Sequence, residues 1–385
     1  LLVDEIHQII GEYGDAAKVA REAGFDAIEI QAGMGYLLNR FLSPRSNKRT
    51  DEYGGSIENR VRILLEIVKS CHEKAGTDYP IIVRLSGDDL MEGGNTLEDI
   101  KPMAVALDRA GIAALDVEAG WHESTVPLVQ QWVRPGAFIY LAEEVKKVVN
   151  IPVIGAYRIN DPFLANKIVA EGRVDLVGMG RQLIADPDFP NKAKDGRFDE
   201  ICYCIACCRC LDLVREVKQP GCSVNAKVGR EAEYIIEPAT DSKKVLVIGG
   251  GPAGLEAAKV ASLRGHEVTL CDKGPRLGGS LLLAGILNPE LPRFLKYKLG
   301  QIRRLPIEIK LSTNVSAAFV EQLKPKVVIM ATGGRAPALE IPGGHRDNVL
   351  LGHDMLEAMI HPPKKRGVGQ RLLWRLGYLP LRYLY

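Results

Sequence analysis

Residues 57–85 read IENRVRILLEIVKSCHEKAGTDYPIIVRL: an amphipathic stretch, a glycine, a short turn, then an apolar run. The apolar positions of 57–74 recur at the three-to-four-residue spacing of a helix. The run 80–85 is short, rich in Ile and Val, and apolar on both faces, as a buried parallel strand is. Working outward, strand-like runs recur at 26–31, 113–117, 151–155 and 175–179, with a second clear helical stretch at 97–110. Strand–helix alternation at this spacing predicts an α/β fold with a parallel sheet. Five βα units without a dinucleotide glycine motif in the first favour a (β/α)8 barrel over a Rossmann sheet. Five strands cannot close such a barrel, so the reading is a partial TIM barrel, with the other three strands expected before Leu1.

Active sites of these barrels lie at the C-terminal ends of the strands, with phosphate held after the last two. The polar residues at those ends are Gln31 to Tyr36, Arg84, Gly120-Trp121-His122-Glu123, Tyr157-Arg158 and Gly178-Met179-Gly180-Arg181. Arg158, Gly180 and Arg181 make a candidate phosphate clamp, because a guanidinium presents a planar fork of donors to phosphate oxygens.

The chain has 385 residues, 46% hydrophobic and 25% charged, with a net charge of +2. That length predicts two or three domains. The near-neutral charge argues against a general nucleic-acid binder. No apolar run approaches the length of a membrane span. Six of the eight cysteines, Cys202, Cys204, Cys207, Cys208, Cys210 and Cys222, fall within 21 positions. Such clustering in a long chain without a signal sequence predicts metal or iron–sulfur ligation in a reducing compartment, with the cytoplasm as default. Cys204, Cys207, Cys210 and Cys222 form a four-thiolate set that suits either a cubane cluster or structural zinc.

A second nucleotide-binding region opens at 243. A strand-like run, 244–248, enters Gly249-Gly250-Gly251-Pro252-Ala253-Gly254, then a helix of small residues, then a second strand ending at Asp272. Strand, glycines, helix, strand and acid in this order predict a Rossmann unit. Gly249, Gly251 and Gly254 would allow the tight turn and close approach to a pyrophosphate, and Asp272 would hold ribose hydroxyls. The later string Ala331-Thr332-Gly333-Gly334 resembles that of two-dinucleotide flavoproteins, which makes FAD the expected dinucleotide and Thr332 one of its contacts.

The strings 24–63 and 174–190, including GYLLNRFLSPRSNKRTDEYGG and VDLVGMGRQLIADPDFP, resemble the old yellow enzyme family of FMN-dependent barrels over essentially residues 1–200. The resemblance implies FMN, with Arg84 near the pyrimidine end of the ring and Arg158, Gly180 and Arg181 near the phosphate. Simple members grip a substrate carbonyl with a His pair, or His and Asn, at the positions of Gln31 and Met34, and Met34 cannot donate a hydrogen bond. Tyr36 and the Gly-Trp-His-Glu string are instead similar to the branch that includes 2,4-dienoyl-CoA reductase, which implies Tyr36 as proton donor and His122 as its partner. In the branch that also includes trimethylamine dehydrogenase, a [4Fe–4S] cluster sits just after the barrel. That implies a cubane on Cys204, Cys207, Cys210 and Cys222, leaving Cys202 and Cys208 as non-ligands.

The expected organisation is an FMN-binding barrel at 1–200, an iron–sulfur segment and linker at 201–242, and a Rossmann-like FAD domain at 243–385, with the sequence cut at both ends. The expected function is an ene-reductase: NAD(P)H to FAD, single electrons through the cluster to FMN, then hydride to a conjugated acyl-CoA. Aryl-CoA or steroid enone reduction, amine dehydrogenation, and service as an electron-transfer subunit are the alternatives. A small-molecule acyl-CoA or enone partner is expected, with no nucleic acid and no membrane span; a homo-oligomer or a carrier protein stays open. The stretch 361–385, with six Lys/Arg and no acidic residue, reads as an insert, the approach to a further domain, or a basic membrane-surface helix.

Overall fold

The computed structural model describes residues 1–334 and 340–343; the basic stretch 361–385 lies outside the described residues. The chain divides into two compact units, Leu1–Gly229 and Arg230–Tyr385.

In the first unit five strands, β1 (Ile28–Ala32), β2 (Ile81–Ser86), β3 (Ala114–Glu118), β4 (Val153–Gly155) and β5 (Leu176–Val177), form one sheet in sequence order, and every pairing is parallel. The helix Ile57–Ala75 starts where the Ser56 hydroxyl accepts from the Asn59 amide and stops at Gly76, whose φ is 98°. Its inner stripe, Val61, Leu64, Ile67, Val68 and Cys71, is buried in the unit's core with β2 residues Ile81, Val83 and Leu85. Burying each large side chain of that stripe contributes about 1.5–3 kcal/mol. The helix Leu97–Arg109 begins with Thr96 and Asp99 capping each other reciprocally.

All five strands are offset from the sequence reading at their ends: β2 and β3 are shifted by one residue, β4 starts at Val153 instead of residue 151, and β1 and β5 show a cause. β1 starts at Ile28 instead of residue 26, because Phe25 N still donates to Ala20 O of the preceding helix. β5 keeps two residues of the expected five. Asp175 turns its side chain to Lys146 and to Val153 N, and beyond Val177 the chain leaves through Gly178 and Gly180.

The second unit has a four-stranded parallel sheet in the order β8-β7-β6-β9, with β6 at Lys244–Ile248, β7 at Glu267–Cys271, β8 at Ile307–Lys310 and β9 at Val327–Met330. The helix Pro252–Leu263 follows β6, with proline in its first turn where a missing N–H costs nothing. Val245, Val247, Leu255, Ala258, Val268 and Leu270 make the core between helix and sheet. Among the described residues, no helix is long and apolar enough to cross a membrane.

Candidate active site

The ends of β1 and β3 carry the two residues expected to move a proton. Met34 and Trp121 form an isolated parallel bridge, His122 N donates to Met34 O at 3.4 Å, and Met34 N donates to Ser86 Oγ at 3.0 Å. These backbone ties align the two loops and bring Tyr36 Oη and His122 Nε2 to 2.9 Å, with the rings edge-on at 81°. Tyr36 stands just before the helix Leu37–Leu42, and its side chain makes no capping bond; among the described residues its hydroxyl pairs with the imidazole. The ring is about half exposed, as a group that meets a ligand must be.

Beneath this pair lies a charged layer that the sequence reading did not single out. The register sets Gln31 beside Arg84 and Arg84 beside Asp116, so Glu29, Gln31, Arg84, Asp116 and Glu118 share one face of the sheet. Arg84 Nη2 and Nε donate to Asp116 Oδ2 at 2.6 and 3.0 Å, and Nε lies 3.1 Å from Glu29. One cation therefore faces three carboxyl groups. Glu118 is 5% exposed, and burial pushes its carboxyl up to about 8, with Arg84 pulling down and Asp116 adding to the rise. Gln31 hydrogen-bonds that carboxyl and Tyr157 Oη donates to Met34 Sδ at 2.8 Å, so neither Gln31 nor Met34 is left for a substrate carbonyl. A period-two reading of LDVE after locating Arg84 was the available signal for Asp116 and Glu118.

Glu118 gives stability a pH dependence. The folded carboxyl keeps its proton to about pH 8, whereas the unfolded one releases it near the ordinary 4.5. Between those values folding takes up a proton, so stability falls as pH rises, by about 1.4 kcal/mol per unit at the steepest. Glu118→Gln, which cannot ionise, is expected to gain on the wild type in thermal unfolding between pH 5 and pH 8; parallel pH curves for the two proteins would contradict the assignment.

The residues fit FMN on two counts. Asp116 Oδ1 and Glu118 Oε1 are buried beside Arg84 without a partner among the described residues, and a heteroaromatic ring edged with N–H and carbonyl groups can satisfy such atoms. At the far end, Arg158 Nε donates to Val133 O at 3.0 Å and Arg181 Nη1 to Val129 O at 2.7 Å, so both guanidiniums meet the 129–133 segment. Gly180 immediately precedes the short helix Arg181–Ala185, and Tyr157 and Arg158 both have positive φ, 76° and 55°. Consecutive left-handed residues at a strand end mark strain of the kind that gathers at ligand sites.

The cysteine segment packs onto the barrel unit through Cys202 N to Asp186, Cys204 N to Gln182 and Asn160 to Cys204 O. No disulfide joins any of the cysteines. Burial raises the Cys204 and Cys210 thiols above the ordinary range, Arg181 lowers them, and both feel the charge of Cys207 and Cys222. Cys207 and Cys222 thus lie near enough to act on both Cys204 and Cys210. Cys202 Sγ instead donates to Val224 O, and Cys208 Sγ lies against Ala206 O, Val129 O and Arg181. Among the described residues no three His, Cys, Asp or Glu side chains converge on a single point.

In the second unit the glycine turn is shaped for a dinucleotide. Gly249 has φ 107° and a side chain there would run into Ala331 O; one at Gly254 would run into Gly249 O. At Gly251 an added Cβ meets nothing closer than Gly279 Cα at 3.9 Å, so the middle of the turn stays open. Asp272 Oδ2 accepts from Gly250 N at 2.6 Å and Oδ1 from Gly274 N at 2.7 Å, which fixes the acid at the tip of β7. Thr332 N lies 3.1 Å from the position of a Gly249 Cβ, and the Thr332 side chain is exposed. Gly254→Val is expected to yield protein that keeps FMN and loses FAD, read as the ratio of released flavins; an unchanged ratio would remove the FAD assignment.

Residues 1–200 match the model of the NADH:flavin oxidoreductase / NADH oxidase family, and 243–361 match that of pyridine nucleotide-disulphide oxidoreductases. The first model implies FMN, the second FAD and NAD(P)H. The chain is 43% identical over 364 residues to a metal reductase of Desulforamulus reducens, covering 92% of this chain and 54% of the relative. It is 33% identical to a cinnamate reductase of Clostridium sporogenes, covering 97% and 58%. A solved complex of 2-naphthoyl-CoA reductase superimposes with a TM-score of 0.90 at 39% identity, covering 93% of this chain and 55% of the other. The chain thus spans about half the length of the curated relatives it matches.

Proposed function

The chain belongs to the NADH:flavin oxidoreductase / NADH oxidase family, and from that membership and the site geometry we propose that it reduces the C=C bond of a conjugated acyl compound, such as a 2,4-dienoyl-CoA. The observation that carries the reading is the 2.9 Å contact between Tyr36 Oη and His122 Nε2 at the mouth of the sheet. Hydride addition to one carbon of a conjugated acyl group leaves an enolate that must be protonated at its neighbour, and a phenol backed by an imidazole is a suitable general acid. When bound, FMN would supply the hydride at the substrate, FAD would collect it from NAD(P)H, and a [4Fe–4S] cluster would pass single electrons between them. Arg84, Arg158, Gly180 and Arg181 would hold the FMN; Gly249, Gly251, Gly254, Asp272 and Thr332 the FAD; Cys204, Cys207, Cys210 and Cys222 the cluster.

Tyr36 holds the proton to be delivered, and His122 fixes the direction of its hydroxyl and receives charge as the proton leaves. Arg84 sets positive charge on the inner face, while Asp116 and Glu29 share it and keep the guanidinium in place. A thiol set that must stay reduced to hold iron favours a reducing compartment, hence the cytoplasm. The test is anaerobic reduction of the full-length protein followed by addition of a 2,4-dienoyl-CoA. Rapid flavin reoxidation supports the reading. Its absence with dienoyl-CoA, aryl-CoA and steroid enone alike would move the assignment to amine oxidation or to electron delivery for a partner.

A further inference from the structure

The proposed chemistry leaves one demand unmet. As hydride reaches the β carbon, the C=C electron pair shifts towards the acyl C=O and negative charge gathers on that oxygen. Some donor has to receive it. Gln31 is tied to Glu118, and Met34 offers no donor and accepts from Tyr157.

Arg40 is built for the task. It lies one helical turn beyond Tyr36, its amide donating to Tyr36 O at 2.9 Å, so the two side chains leave the same region of the helix. Arg40 Nε donates to Gly35 O at 2.8 Å, and the guanidinium stands 5.7 Å above the centre of the buried Trp121 ring. The guanidinium plane is therefore fixed while its terminal nitrogens face outward. Their side-chain partner is Glu123, the residue after His122, at 3.4 Å with both side chains more than half exposed. That distance is long for a charge-assisted bond, and solvent weakens it further, so a ligand oxygen can displace Glu123. The Arg40–Glu123 pair thus runs alongside the Tyr36–His122 pair, Arg40 standing on the helix that follows Tyr36 and Glu123 on the loop that carries His122.

We propose that Arg40 grips the acyl oxygen of a conjugated substrate and steadies the charge that gathers there, with Glu123 as the counter-ion it gives up. The inference rests on the ene-reductase reading. Two electrons and one proton would reach the β carbon as the hydride that bound FMN, reduced by NAD(P)H, would supply. The π pair becomes an enolate oxygen facing Arg40, the Tyr36 proton goes to the α carbon, and solvent restores the Tyr36 proton through His122. A thioester and a free carboxylate share this acyl oxygen.

The experiment uses the full-length holoenzyme with cinnamoyl-CoA, cinnamate and cinnamonitrile, the last being conjugated without an acyl oxygen. Arg40→Gln is expected to lower kcat/KM for the acyl probes about 10²- to 10³-fold, the loss usual for one oxyanion donor, and to spare the nitrile. Arg40→Lys should recover part of it. A response of cinnamoyl-CoA alone identifies a thioester site, and of cinnamate alone a free-acid site. Binding of 3-phenylpropanoate, which cannot accept hydride, is read from the flavin absorbance: it should weaken at least about tenfold in Arg40→Gln and tighten in Glu123→Gln, where the competing carboxylate is gone. A merely structural Arg40 would weaken all three probes alike, and Glu123→Gln would not tighten binding; either result overturns the proposal. Wild-type protein that reduces no probe, yet binds the acid through Arg40, would sink the ene-reductase reading and leave the anchor standing.

Discussion

Tyr36→Phe is expected to lower kcat and kcat/KM together by about 10²- to 10⁴-fold, the range a positioned general acid supplies, with flavin content unchanged. The equal fall follows from where the hydroxyl acts. Among the described residues its hydrogen bond is to His122 Nε2, so its removal leaves folding and ground-state binding alone and deprives only the protonation step. The ring's edge-on contact with His122 survives in phenylalanine, which keeps the loop packed. Hydride arrival and protonation can be separated by following flavin reoxidation in a single turnover beside product formation. Slow reoxidation with slow product means that the two steps are concerted. Fast reoxidation with slow product means that the enolate waits for its proton. Unchanged turnover would remove Tyr36 from the chemistry altogether, and His122→Gln, which keeps a donor but not an imidazole, should fall between the variant and wild type.

What could be read in the sequence follows from what is local. Helix 57–74 was legible to within one residue because its apolar stripe, its Ser56 cap and its terminal Gly76 all lie within the same short window. The parallel sheets were legible because buried strands announce themselves as Ile/Val runs, and the glycine turn because its glycines, strand and helix fall in one short window, Gly254 being required by Gly249 O of the same turn. The charged layer was not legible. Arg84 meets Asp116 across 32 residues and Glu29 across 55, and nothing in either segment signals the other until register is known. Glu118 is the extreme case. In sequence it is one acid in LDVE; its raised carboxyl comes from burial and from sharing Arg84 with two other acids, both properties of the folded sheet. The β5 boundary failed for a related reason, since a side chain of Asp175, invisible to strand propensity, takes over a ladder bond.

Cys222→Ser is expected to abolish NAD(P)H-driven turnover and to empty the protein of most of its iron and acid-labile sulfide, while FMN stays bound. Serine offers a hard, poorly ionised oxygen in place of the soft thiolate an iron–sulfur cubane selects. Cys222 is the decisive position because it is the distant member of the set: its thiol acts electrostatically on both Cys204 and Cys210 from outside their turn. Substrate reduction by flavin that dithionite has reduced directly should persist for a single turnover, which separates a broken electron route from a broken active site. Cys208→Ser is the matched control. Its sulfur lies against Val129 O, Ala206 O and Arg181, so iron content should hold while the packing around Arg181 adjusts. Zinc in place of iron in the wild-type protein would contradict the cluster at once. Iron lost in Cys208→Ser but retained in Cys222→Ser would move the fourth ligand to the residue beside Arg181, and with it the charge that the cluster sets against the phosphate end of the barrel site.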